Sequence, residues 1–234
     1  MHPAEQLWRL QRRVSPYPVN VISVPAPIPG TAFFPGGFGL WRDDVSQPLP
    51  SWPFGGVMVL GHNFHSESGY RASMEAGRES EQQPTWRHLL ALLRRADIDK
   101  GECFFTSAVM GLATTGSFPG RNDPAFAARC QRFLRTQLAA QRPRLILTLG
   151  RWVPRLLAPL SADLEAWSEA KTFAQIDVAP MRAAVRFPMA IQTVVVALVH
   201  PSLRHLAVRH RRYKGLQGDD AEVAMLRDGL EAAR

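Results

Sequence analysis

The chain has 234 residues, of which 46% are hydrophobic and 21% charged, and its formal net charge is +8. That size and balance fit one α/β domain with a sizeable core, and the excess of cations fits a polyanionic partner. Cys103 and Cys130 are the only cysteines, which excludes a disulfide framework, a four-cysteine zinc site and a four-cysteine iron–sulfur cluster, and suits a reducing, cytoplasmic setting.

Residues 3–13, PAEQLWRLQRR, place Leu7 and Leu10 on one side and arginines on the other, the pattern of a short amphipathic helix. Arg9, Arg12 and Arg13 interrupt any apolar stretch of signal-peptide type, and no apolar run approaches the roughly 18–20 residues of a membrane span. Residues 14–56 are rich in proline and glycine, with a candidate short strand at Val19–Val24. Phe33, Phe34, Phe38, Trp41, Trp52 and Phe54 require burial, so this segment reads as an arm wrapped over the domain.

Val57–Leu60 is the first apolar run of central-strand type. Residues 61–84 read as a long polar loop, and a helix is expected from Pro84, with Thr85 as its N-cap and Leu89, Leu90, Leu92 and Leu93 on its packed face. Cys103–Ser107 is the second strand, and 111–122 a glycine-rich loop. Asp123 caps a helix through about Gln141. Leu145–Leu149 is the third strand, which Gly150 turns into a helix near Val153–Leu160. Residues 162–192 are ambiguous, with a small hairpin near Ala183–Pro188. Val194–Val199 is the fourth strand, and Asp219 or Asp220 starts a C-terminal helix. Alternating strands and helices with long crossovers predict a three-layer α/β/α sandwich about a central, mainly parallel four-stranded sheet. One domain spans 1–234, with 1–56 as its N-terminal helix and wrapping arm, and the expected state is a monomer.

Two strand ends carry the polar residues. Gly61-His62-Asn63-Phe64 follows the first strand, and His200-Pro201-Ser202 follows the fourth. This pair resembles the two signature motifs of the uracil-DNA glycosylase superfamily, G-x-N-P or its variants and H-P-S. The run LILTLG at 145–150 fits the strand between them, and the resemblance covers roughly residues 55–215. Phe64 stands where the first motif usually has proline. Ser107 stands where the second strand usually ends in an asparagine that reads the uracil edge. The cysteines of the iron–sulfur branch are absent.

The resemblance implies a metal-free and cofactor-free DNA glycosylase of base-excision repair, acting on a flipped uracil or other damaged base. Asn63 would position water and face the oxocarbenium-like sugar, and His200 would donate to the carbonyl oxygen that gains charge as the base leaves. Gly61, His62 and Ser107 would line the base pocket. Tyr70 is the first choice for the stacking face and Phe64 the second, either serving equally as packing. Glu67 is a spare acid or base, or simply a solvated acid. His62, His65 and His200 lack the spacing of a helical zinc motif, so no metal is expected. Beyond His200 the chain runs PSLRHLAVRHRRYKG, without an acid. Ser202, Arg204, Arg209, Arg211 and Arg212 would contact phosphates, and Leu203 or Leu206 would fill the gap left by the flipped base. Two other classes remain: a non-catalytic nucleic-acid binder, suggested by Ser107 and Phe64, and a small-molecule N-glycoside hydrolase.

Overall fold

The computed structural model describes residues 1–116 and 123–234. Nine strands occur among them: β1 (Val21–Ile22), β2 (Val57–Asn63), β3 (Cys103–Val109), β4 (Leu112–Ala113), β5 (Leu145–Leu149), β6 (Met181–Phe187), β7 (Ile191–Leu198), β8 (Arg212–Tyr213) and β9 (Leu216–Gln217). The helices that frame them are α1 (Pro3–Leu10), α2 (Glu67–Glu75), α3 (Pro84–Arg95), α4 (Pro124–Gln141), α5 (Trp152–Leu157), α6 (Glu165–Ser168), α7 (Phe173–Ile176), α8 (Arg204–Ala207) and α9 (Asp219–Ala232).

The central sheet has the order β3-β2-β5-β7-β6, so it holds five strands where the sequence predicts four. β2, β3, β5 and β7 run parallel to one another, with Val57 opposite Cys103 and Leu145, and Leu145 opposite Val194. The added strand, β6, runs antiparallel at the edge. It turns into β7 through Met189 and Ala190, both at positive φ. The sequence reading expected a small hairpin near Ala183–Pro188, and β6 with its turn into β7 lies there. What the reading left out was β6 as a fifth strand of the central sheet, because Ala183, Ala184 and Arg186 are exposed and it lacks the continuous apolar run of a strand covered on both faces.

Alternation along the parallel strands builds two cores. Met58, Leu60, Phe104, Ile146 and Val195 point to the side covered by α4 and α5, where Phe126, Cys130 and Val153 meet them. Val57, Val59, Phe105, Leu147 and Val196 point to the other side, against Trp86 and Leu89 of α3 and Met225 and Leu226 of α9. This is the expected three-layer sandwich. Phe34 donates to Phe105 O at 3.0 Å and Phe105 to Gly39 O at 2.8 Å, so the arm closes the free edge of β3. Phe54 is the exception among the arm's aromatics, being 66% exposed.

Some boundaries differ from expectation. The polar stretch after β2 is no long loop: Ser66 caps α2 by accepting from Gly69 N at 3.2 Å, and Tyr70 and Ser73 are its buried residues. Thr85 is not a cap, because α3 already begins at Pro84, with Gln83 before it making no side-chain cap. Asp123 does cap α4, accepting from Phe126 N at 2.8 Å. Part of the predicted 111–122 loop, residues 117–122, lies outside the described residues.

The chain leaves β2 for β3 on one side, then crosses to β5 and β7 on the other, so the switch point lies between β2 and β5. The loop after β7 is fixed from below by α9. Glu222, fully buried, accepts from Val199 N at 2.7 Å and pairs with Arg204 Nη1. Arg211 Nε lies 3.3 Å from the same carboxylate, Arg211 Nη1 lies 2.8 Å from Asp177, and Arg211 Nη2 donates to Ala197 O at 2.5 Å. Removing one partner of a buried ion pair leaves the other charge uncompensated. Glu222→Ala is therefore expected to destabilise the fold by about 3–5 kcal/mol, measured by denaturant unfolding. Glu222→Gln, which still accepts from Val199, should cost less.

Candidate active site

Asn63 is the last residue of β2, opposite Val109 of β3. Its carboxamide has a determined orientation. Nδ2 donates to His65 O at 3.3 Å, so Oδ1 is the atom 2.6 Å from His62 Nδ1. Two acceptors cannot share a hydrogen bond, so the neutral His62 ring carries its proton on Nδ1 and its lone pair on Nε2. Burial pushes the His62 pKa down to about 4, against the pull of the Asn63 bond and with help from the charge of His200. His65 turns the chain into α2, its Nδ1 accepting from Ser66 N at 2.9 Å.

His200 follows β7 and begins a 3₁₀ turn, Pro201–Leu203. Its Nδ1 accepts from Ser202 N at 3.3 Å and lies 2.8 Å from Ser202 Oγ. The neutral ring therefore holds its proton on Nε2, the opposite tautomer to His62. Burial lowers its pKa. Two further residues seat this turn. Gly150, at φ +89°, ends β5 so close that a Cβ there would lie 3.2 Å from His200 Cβ. His88 of α3 donates from Nδ1 to Pro201 O at 2.8 Å. Neither His88 nor Glu222 carries a local motif, and the sequence reading missed both. The parallel sheet brings Asn63, His62 and His200 to one edge, with the end of β5 between them.

Gly61 pairs with Ser107 across β2 and β3, and both are buried. Ser107 Oγ has no hydrogen-bond partner among the described residues. Phe64 is half-buried, its ring lying on Gly36, where a Cβ would come within 2.0 Å of it. Tyr70 takes the packing alternative and not the stacking one. It is 5% exposed among Val24, Ile28 and Leu112, with its hydroxyl donating to Ala26 O at 2.9 Å. It pins the arm, and neither ring face is open to a base. Glu67 pairs with Arg71 one turn on along α2, as a solvated acid does.

The basic segment after His200 divides in two. Leu203 and Leu206 stand out at 51% and 58% exposed. Arg209 and Arg212 are exposed. Arg204 and Arg211 are not available to phosphates, which corrects the sequence reading. Arg204 is 6% exposed between Glu222 and Asp219, and Arg211 is fully buried over the Phe173 ring. Their apolar surroundings and carboxylate partners make them structural.

Among the described residues no group of three or more His, Cys, Asp or Glu could hold a metal ion, and no helix is long and apolar enough to cross a membrane. No curated protein matches the chain. Residues 61–216 match the uracil DNA glycosylase superfamily, a span that begins at the first motif and runs through the second to β9. With two thirds of its length inside that match, the chain belongs to the uracil DNA glycosylase superfamily, which gives it a DNA glycosylase-like function in general terms.

Proposed function

We propose that this protein hydrolyses the N-glycosidic bond of a flipped, damaged or deaminated base in DNA. The observation that carries the reading is the two sets of hydrogen-bond partners at one sheet edge, which require opposite tautomers. His200 presents an Nε2–H donor, while Asn63 Oδ1 keeps a lone pair beyond the one His62 uses. In the reaction the bond from C1′ to the base nitrogen breaks and its electrons leave with the base. His200 Nε2–H stabilises the base oxygen on which that charge collects, and remains neutral because burial opposes its protonation. Asn63 Oδ1 accepts from a water whose oxygen bonds to C1′, and the water proton ends on the departing base or in solvent. His62 is a positioning residue that orients the Asn63 amide.

Ser107 offers one hydroxyl, which makes a single donor or acceptor contact and cannot reproduce the paired reading of an amide. This supports a base range wider than uracil. Phe64 is the face left for stacking, Leu203 and Leu206 are the wedges, and Ser202, Arg209 and Arg212 contact phosphates.

His200→Ala should lower base release about 10²- to 10³-fold, the usual loss on removing a charge-stabilising donor, and Asn63→Ala, which removes the acceptor that positions the water, should lower it by about 10²-fold or more. Alkali cleavage after incubation with a panel of modified bases in single- and double-stranded DNA reads this, and wild-type turnover in both variants would refute the assignment. Truncating the true wedge, Leu203 or Leu206, should slow release from duplex more than from single strands, since only a duplex has stacked neighbours to hold apart. Equal losses on both substrates would instead mean loop packing.

His62 and His200 also set a pH dependence of stability. Each binds a proton less readily folded than unfolded, so between the unfolded histidine pKa near 6.5 and the lowered folded values the unfolded chain holds more protons. Stability should fall as pH drops from about 6.5 toward 4, and His62→Phe should flatten that slope in urea titrations at several pH values. An unchanged slope would show that His62 is not buried as a neutral ring.

A further inference from the structure

A second cationic surface lies away from the His200 loop. α1 continues into a 3₁₀ turn, Gln11–Val14, which packs against α4. Arg129 Nε donates to Val14 O at 2.9 Å and its Nη2 to Pro16 O at 2.5 Å, tying the two elements together. Arg9, Arg12 and Arg13 from the first element and Arg132 and Arg135 from α4 are exposed. None of these six arginines takes part in any of the ion pairs found among the described residues. A groove of about 530 Å³, open to solvent, lies between the elements, lined by Arg13, Arg129, Arg132 and Thr136 together with Leu10, Val14 and Phe133.

We propose that this flank is a second nucleic-acid contact, binding the phosphodiester backbone of DNA beyond the segment held at the sheet edge. The proposal rests on DNA being the partner, as in the function proposed above. α4 starts at the active edge, after β3, and runs back toward the start of β2, where Gly55 N donates to Gln141 O at 2.8 Å. The flank therefore leads away from the site along the domain. From Arg129 to Arg135 the helix rises roughly 9 Å, commensurate with two or three charges of one strand at about 3.4 Å each along the duplex axis. The patch contains arginine and no lysine, which suits the forked geometry of phosphate oxygens. A membrane is the weaker partner. Surface helices that enter lipid expose apolar side chains beside their cations, whereas Val14 and Phe133 here are buried and no large apolar residue of 3–16 or 123–144 is among the exposed ones.

The test is the salt dependence of binding to an undamaged fluorescent duplex, which is independent of base release. The variant Arg12→Gln, Arg13→Gln, Arg132→Gln, Arg135→Gln should lower the slope of log K against log salt by about one unit for each arginine–phosphate pairing it removes, with unaltered thermal melting. Arg132→Glu with Arg135→Glu, both on exposed turns of α4, should weaken binding further, and supplies a second route should the first variant fold poorly. Arg209→Gln with Arg212→Gln is the comparator at the sheet edge. A slope unchanged in the flank variants but reduced in the comparator would overturn the proposal. So would flank variants that keep the DNA slope yet lose affinity for phosphatidylserine vesicles or polyglutamate, which would assign the surface to lipid or to acidic protein. A reduced slope in a protein that releases no base from any substrate would leave the flank contact standing and refute the glycosylase reading alone.

Discussion

The carboxylate of Glu222 is the constraint on which the site depends. It sits on α9, fully buried, and holds the backbone N–H of Val199, the residue immediately before His200. Burying a carboxylate is costly unless its charge and lone pairs are satisfied, and two guanidiniums from the same downstream loop supply what is needed. One side chain thereby fixes both the end of β7 and the loop that projects Leu203 and Leu206. The pairings are unequal. Arg204 is held firmly, its pKa raised by Glu222 and Asp219 despite burial, whereas burial outweighs the carboxylates at Arg211 and lowers its pKa.

Parallel pairing supplies the second half of the arrangement. Because β2, β5 and β7 run the same way, residues far apart in sequence emerge at one edge: Asn63 from β2, Gly150 from β5 and His200 after β7. The switch point, where the chain diverges to opposite sides, falls between β2 and β5 and so lies among them. Gly150 then lets His200 approach, and His88 anchors the turn from the covering helix.

Within that frame the chemistry is set by which nitrogen carries a proton. His62 and His200 share an edge, a lowered pKa and a residue type, yet their neighbours force opposite tautomers. An amide oxygen obliges His62 to donate from Nδ1, and a backbone N–H obliges His200 to accept there. Asn63 is thus oriented by a donor while His200 becomes one. Burial favours the neutral form of both rings, so in the proposed reaction charge that develops on a leaving base would meet fixed dipoles and not a mobile proton.

The sequence alone determined the parallel strands, the motifs at their ends and the capped helix α4, because each is local. A strand covered on both faces reads as an unbroken apolar run, and Asp123 caps the helix that follows it by accepting from the N–H three residues ahead. The tertiary structure decided the rest. β6 is an edge strand with exposed alanines and arginine, and its partner settled it, not its pattern. Tyr70 lies near the motif in sequence, yet the arm's Ala26 claims its hydroxyl and the core its ring. Four arginines after His200 are equivalent on paper. Arg204 and Arg211 were withdrawn from the surface by a glutamate on α9, leaving Arg209 and Arg212 outside. Periodicity and motifs record what a residue meets within a few positions along the chain. Which charge is buried depends on partners brought together only by packing, and no local pattern encodes them.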